Sequence, residues 1–545
     1  MNTYLSLHPN DNVLVALQDL PAGSRIDYGG QAVHLPRPVP AKHKLTLHPL
    51  APGDPVIMYG VLVGKATQAV GAGEQLTTFN LRHDAEPYAS DRRQPLGWQA
   101  PDVTRWQTRT FMGYHRSDGQ VGTANYWLVL PLVFCENRNI QKLKDAFERE
   151  LGYAQPDTYQ QLVRAWRRQH EQGVAADPTP ELPMTAPDVP YFANIDGIKF
   201  LTHEMGCGGT NDDSSRLAAL FAAYANHPNV AGLTVLSLGC QKTQYDDLMT
   251  EIQTRNPRFD KPLLFFEQQQ YGTEYAMLSA AIGQTFAALT EANRQQRRPA
   301  PLSRLTIGLK CGGSDGFSGI SANPALGHLS DVLVALGGKT LLAEFPELCG
   351  VEQNLIDRCV SEAGARKFER LMRTYAAEAE AVGAGFDMNP SAGNIRDGLI
   401  TDAIKSAGAA KKGGTAPVTD VLDYTEPATQ PGLHLVCTPG NDVLATTGQA
   451  AAGATIILFT TGLGTPTGNP IAPVVKIATN SALARKMPDI IDFDCGPIID
   501  GTQTVEETGD RLLDYVVQLA SGTVKTKAQQ LGQDDFMPWK RGVSL

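Results

Sequence analysis

Short apolar runs, many of them β-branched, end in polar or glycine-rich turns through most of the chain after residue 195: GIKFLTHEMGCGGTNDD, GLTVLSLGCQKTQ, LTIGLKCGGSDG, LHLVCTPGNDV, TIILFTTGLGTPTGNP and IIDFDCG. Helical segments such as SSRLAALFAAYANH and EYAMLSAAIGQTFAALTEANRQQ separate several of these runs. Strands alternating with helices predict a mainly parallel sheet whose turns collect along one edge. In such sheets ligands sit outside the carboxyl ends of the strands. Two further helices are predicted, from Glu352 to about Val382 and from Val505 to Ala520, and GNDVLATTGQAAAGATIILF suggests a second α/β unit over 386–545.

The amino-terminal part reads differently. LPAGS at 20–24, LAPGD at 50–54 and VGAGE at 70–74 each join short β-rich runs, which predicts a small β domain over 1–84 with glycine-centred turns. Residues 85–110 are rich in Pro, Gln, Arg and Asp without a period, so they read as a linker. The first α/β domain is then expected over 111–385. NIQKLKDAFERELG and TYQQLVRAWRRQHEQG carry helical spacing, and a proline-rich segment follows at 176–190, so a helical and proline-rich insertion is expected near 139–190.

Composition narrows the class. The chain has 545 residues, 42% hydrophobic and 19% charged, the profile of an ordered globular protein too long for one core. A net charge of −10 without a basic run argues against nucleic acid as a partner. No stretch has the form of a signal peptide or the apolar length of a membrane span, so no membrane partner is expected. Eight cysteines without small-domain spacing read as reduced thiols of the cytoplasm.

The chemistry then falls to the turns. In LTIGLKCGGSDGFSGISANP, the thiol of Cys311, the carboxylate of Asp315, the hydroxyl of Ser314 and the amide of Asn323 crowd the end of a predicted strand. Cysteine stands beside glycine in three turns, at Cys207, Cys240 and Cys311. Thiolates converging from separate turns suit a soft metal or an iron–sulfur cluster, whereas an unpaired cysteine is more often a small buried hydrophobe; no CxxC spacing decides between the two. Cys135, Cys349, Cys359, Cys437 and Cys495 read as packing residues. His203 suits a base, a ligand or a satisfied core partner. NPSAGN at 389–394 offers amides to sugar hydroxyls or closes an Asx-turn, and CTPGND at 437–442 is a further polar strand end. GLGTP at 462–466 lacks both the lysine of a P-loop and the third glycine of a dinucleotide fingerprint. The run Ala41-Lys42-His43-Lys44 reads as a solvated edge.

Taken together, SLGCQ, CGGSDGFSGISANPALG, NPSAGN, TPGND, FTTGLGTP and KIATNSALA resemble the altronate and galactarate dehydratase family over nearly the whole chain. FMPWKRGVSL and IDFDCG are more similar to the altronate branch. Leu463, Ala124 and the Ala of NPSAGN depart from the family pattern and leave the substrate open. The resemblance implies a small N-terminal SAF (β-clip) domain followed by mainly parallel α/β domains. It also implies a hydro-lyase that removes water from a sugar acid. The expected reaction is D-altronate to 2-dehydro-3-deoxy-D-gluconate, with galactarate or another aldonic or aldaric acid as the alternative and a non-catalytic sugar-acid-binding protein as the rival. It further implies a divalent metal, Fe2+ foremost with Mn2+ or Mg2+ as substitutes, and a homo-oligomer. On that resemblance Cys207, Cys240 and Cys311 are expected at the metal, His43, His203 and Asp315 in proton transfer, and Ser314, Asn323, Asn394 and Asn441 on substrate hydroxyls. His43 enters because the SAF domain of the family is expected to reach over the site.

Overall fold

The computed structural model describes residues 3–155, 158–175, 177–178, 189–542 and 544. Most of the proline-rich segment at 176–190 therefore lies outside the described residues.

The three repeated phrases do the same job in the amino-terminal domain. Gly23, Gly53 and Gly73 sit at the same place in each phrase, and all have positive φ, at 79°, 92° and 78°. Each turn is closed locally: Ser24 Oγ donates to Pro21 O, Ala51 N to Asp54 and Gly71 N to Glu74. Short antiparallel pairs link the turns, among them Val13–Ala16 with Lys44–Thr46 and Pro55–Met58 with Val61–Ala66. The result is a compact β domain with its own apolar core around Leu14, Ile26, Val39 and Leu45.

The rest of the chain builds two parallel sheets and a small antiparallel one, in which Thr110–His115 pairs with Val121–Gly122 and Arg298–Pro301. Of the parallel sheets, the smaller contains β1 (Tyr126–Pro131), β2 (Gly197–Phe200), β3 (Val230–Ser237) and β4 (Leu263–Glu267), in the order β2-β1-β3-β4 with every pair parallel. The larger contains β5 (Thr306–Cys311), β6 (Lys339–Ala343), β7 (Val418–Leu422), β8 (Gly432–Val436), β9 (Ile456–Thr461), β10 (Val474–Ala478) and β11 (Phe493–Asp494). Its order is β7-β8-β6-β5-β9-β10-β11, again parallel throughout. β5, β8 and β9 are buried along their whole length, which is why they read as continuous apolar runs rather than alternating ones.

Strands on both sides of residue 385 thus share one sheet, and the expected unit over 386–545 is no separate layer. Conversely, the span 111–385 is divided between two sheets. Local patterning identifies strands, but which strands pair is set by long-range packing. The segment 85–110 has almost no regular structure yet is tied down. Ala89 N donates to Gln353, Ser90 N to Glu369 and Gln94 N to Asp357, so it runs along the helices Glu352–Arg358 and Glu362–Glu380.

Candidate active site

The carboxyl edge of the larger sheet gathers the densest polar chemistry among the described residues. β5 ends in Lys310 and Cys311, and β6 runs directly into Glu344 and the one-turn helix Phe345–Leu348, which carries Glu347. Glu344 is fully buried with φ 72°, a left-handed backbone that glycine normally supplies. Strain of this kind persists only where the surroundings fix it, and it turns the carboxylate inward. Cys311 Sγ donates to Glu347 at 3.0 Å, and one donor atom each from Cys311, Glu344 and Glu347 lies within 4.8 Å of the others.

Three buried lysines answer these acids. Lys310 Nζ stands 2.5 Å from Glu344 and 2.9 Å from Asp442, and also donates to the Cys311 carbonyl. Lys412 Nζ donates to Cys311 Sγ at 2.6 Å and lies 3.8 Å from Glu344. Lys405 Nζ stands 2.8 Å from Glu347 and donates to the side chain of Asn389. Burial alone would lower the Lys310 and Lys405 pKa values, but the facing carboxylates outweigh it and raise both.

The acids respond in the opposite sense. Burial and then the charge of Glu347 drive Glu344 upward, while the surrounding lysines overcome burial and hold Glu347 low. Burial, helped by the Glu347 charge, pushes the Cys311 thiol up to about 12 and the neighbouring Asp402 up to about 8. Among the described residues Glu344 Oε2 has no hydrogen-bond partner, and the Asp402 carboxylate faces the Cys349 thiol. Five acidic groups (Cys311, Glu344, Glu347, Asp402 and Asp442) therefore share one cluster with three lysines. Only with all five ionised would they outnumber the lysines by two charges, and a divalent cation would favour that state by displacing the protons that burial otherwise retains. With the orphaned oxygen and a sulfur–carboxylate donor set, the residues present fit such an ion.

A second group lies next along the same loop. Asp315 is fully buried and pairs with Lys42 of the amino-terminal domain at 3.0 Å; Lys42 also reaches Asp397 at 2.6 Å. Lys44 is buried beside it, donating to the Gly398 and Lys42 carbonyls, and burial lowers its pKa to about 7. The Ala41–Lys44 run, expected as a solvated edge, is thus wedged against the 312–318 turn and residues 396–398. Its contacts are specific enough to hold Lys42 at φ 73°. Ser314 Oγ, buried in the same turn, has no hydrogen-bond partner among the described residues.

Other expected site residues are consumed by structure. His43 uses one ring nitrogen on the Arg396 carbonyl at 3.0 Å and the other on Gln75 at 2.8 Å, so neither is free for proton transfer. His203 is likewise spent, on the Pro131 carbonyl at 2.8 Å and the Met205 amide at 3.0 Å, and burial drops its pKa to about 4. Asn323 is bonded to Gly408 O and Thr460, Asn394 closes a capping box and donates to Ser314 O, and Asn441 caps the helix Asp442–Ala451. The three expected metal cysteines part company: Cys311 joins Glu344 and Glu347, whereas Cys207 and Cys240 follow strands of the smaller sheet.

Sequence reading passed over Glu344, Glu347, Lys405, Lys412 and Asp402. Their signal was present in LLAEFPELCG, where two carboxylates three apart follow an apolar strand, and in the KK pair of AAKKGG. A cavity of about 1090 Å³ lies elsewhere, between the helix Asn137–Glu150 and residues 525–534, and is lined by none of the expected site residues.

Three family descriptions match the chain: "Altronate/galactarate dehydratase SAF domain" over residues 2–84, "D-galactarate dehydratase/Altronate hydrolase, second domain" over 113–293, and "D-galactarate/Altronate dehydratase, C-terminal" over 302–544. A protein named altronate dehydratase from Escherichia coli (strain K12) is 34% identical over 546 residues, covering 99% of this chain and 100% of its own. Another of that name from Bacillus subtilis (strain 168) is 32% identical over 562 residues and covers both chains fully, at 100%. Galactarate dehydratase (L-threo-forming) of Escherichia coli (strain K12) is 29% identical over 539 residues, 97% of this chain and 95% of its own.

Proposed function

Because the chain belongs to the altronate and galactarate dehydratase family and is a hydro-lyase, we propose that it dehydrates D-altronate to 2-dehydro-3-deoxy-D-gluconate. The observation that carries the reading is the buried cluster of Cys311, Glu344 and Glu347 with three lysines at a sheet edge, in a chain similar from end to end to two altronate dehydratases.

Dehydration of a sugar acid removes the proton from the carbon beside the carboxylate and hydroxide from the next carbon. The resulting enol tautomerises to a 2-keto-3-deoxy acid. That C–H proton is weakly acidic, so a base must take it while positive charge offsets the negative charge growing on the carboxylate. Lys310, Lys405 and Lys412 supply fixed positive charge in a site closed to water, where it counts for most. Asp315, paired with Lys42, is our candidate for proton transfer, and the unpartnered Ser314 hydroxyl for a substrate hydroxyl. Cys311, Glu344 and Glu347 would hold a divalent ion, Fe2+ with Mn2+ or Mg2+ as substitutes. When bound, that ion supplies Lewis acidity toward the carboxylate or the departing hydroxyl. The reading also carries a homo-oligomer in a reducing cytoplasm, in keeping with eight free cysteines.

The test is anaerobic incubation of the purified protein, with and without iron(II), against a panel of aldonic and aldaric acids, assaying 2-keto-3-deoxy products. Turnover of altronate with the highest kcat/KM is expected. Preference for galactarate would overturn the substrate, and no product from any acid would overturn the dehydratase reading itself.

A further inference from the structure

The smaller sheet carries an edge of its own that the proposed reaction does not use. β2, β1 and β3 are neighbours in that order, and the loop after each contributes one cysteine: Cys207 after β2, Cys135 after β1 and Cys240 after β3. The three loops are sewn together by main-chain bonds. Phe134 N donates to Met205 O at 3.0 Å, and Lys242 N donates to Gly206 O at 3.0 Å, so the Cys207 loop is fastened to both others. His203 locks the arrangement from below through its bonds to Pro131 and Met205. Gly206 has φ 96°, and a Cβ there would sit 2.3 Å from the Leu132 carbonyl, so this close approach of two loops requires glycine.

The thiols themselves are unusual. Cys135, Cys207 and Cys240 are exposed, while the other five cysteines are buried or half-buried. Free cysteine normally behaves as a small buried hydrophobe, and three exposed thiols at one edge have no packing role to explain them. They are carried on neighbouring loops, joined by the Phe134–Met205 and Lys242–Gly206 main-chain bonds. Yet they are not drawn together as ligands of one ion, because among the described residues only Cys311, Glu344 and Glu347 bring three donor atoms within 4.8 Å. A tetrahedral ion with metal–sulfur bonds of about 2.3 Å would require sulfurs at roughly 3.8 Å from one another. A cluster in which each thiolate binds a different metal atom needs them wider.

We propose that Cys135, Cys207 and Cys240 ligate an iron–sulfur cluster, three thiolates from three adjacent strand ends leaving one iron without a cysteine ligand. This centre is distinct from the Cys311–Glu344–Glu347 cluster and its loading is read without turnover, so it stands or falls apart from the proposed reaction.

The experiment is anaerobic reconstitution of the full chain with ferrous iron and sulfide, followed by counts of iron and acid-labile sulfide, visible absorption, and electron paramagnetic resonance after reduction. Expected are about four irons and four sulfides per chain with a sulfide-to-iron charge-transfer band. Cys135→Ser, Cys207→Ser and Cys240→Ser should each lose most of that band, while Cys311→Ser keeps it. Thermal unfolding before reconstitution checks that each variant is folded. Uptake of a single iron or zinc without sulfide, no uptake, or a cluster that survives all three serine substitutions would overturn the proposal.

Discussion

The two parallel sheets present the same architectural edge with opposite chemistry. At the seven-stranded sheet, acids and lysines are packed out of water and held by one another. At the four-stranded sheet, the notable side chains are thiols, and they are exposed. Buried charge is tolerable only when paired, because removing one partner strands the other in a low-dielectric interior. Exposed thiols carry no such debt to the fold. The first edge should therefore couple function tightly to stability, and the second should separate them.

The largest expected effect breaks the buried edge. Glu347→Gln removes the carboxylate shared by Cys311 and Lys405, and kcat should fall by about 10²–10⁴-fold, measured at saturating substrate. Next, Lys412→Met leaves Cys311 Sγ without its donor and Glu344 with Lys310 alone; unfolding free energy in urea should drop by about 1–3 kcal/mol. An unchanged denaturation midpoint would show that the cluster is not held by mutual charge.

Lys42→Ala tests the latch from the amino-terminal domain. It strips the fully buried Asp315 of its cation, though Lys42 itself keeps some solvent contact, so a loss of about 1–3 kcal/mol is expected, together with reduced turnover. If the variant keeps full activity, Asp315 needs no partner from that domain.

Acid probes both sheets at once through three buried histidines. His203 and His227 flank the smaller sheet and His434 lies in β8; burial lowers them to about 4, 3 and 4, against 6.5 in an unfolded chain. Below about 6.5 the unfolded chain binds protons that the folded one refuses, so stability falls with pH. Glu344 and Asp402, raised by burial, act in the opposite sense over the same range, so the histidine share is read by difference: a His227→Asn variant should lose less melting temperature from pH 6.5 toward 4 than the parent chain, and equal slopes would contradict a buried neutral imidazole there. The smallest effect is expected of Cys240→Ser, which in cluster-free protein should shift stability by less than about 0.5 kcal/mol.

Much of this was legible in the chain. The KCGGSDG turn was identifiable as the end of a strand because apolar residues stop abruptly at a glycine cluster. The thiol of Cys311 and the carboxylate of Asp315 do occupy buried polar surroundings there. The partners were not legible. Glu344 and Glu347 follow an apolar run with no motif to single them out; only the positive φ of Glu344 and the approach of Lys405 and Lys412 turn them inward. His203 suited a base, a ligand or a satisfied core partner, and its bonds to the Pro131 carbonyl and the Met205 amide are those of a core partner. Cys135 looked like packing because it ends an apolar strand.

The order of residues by itself determined the alternation of strands and helices, the three left-handed glycine turns of the first domain, and the family, since each depends on neighbours a few positions apart or on long motifs. Tertiary structure alone decided which strand ends meet. A cysteine carries no mark of the sheet its strand will join, so long-range strand pairing assigned Cys311 to the carboxylates and put the Cys135 loop beside those of Cys207 and Cys240.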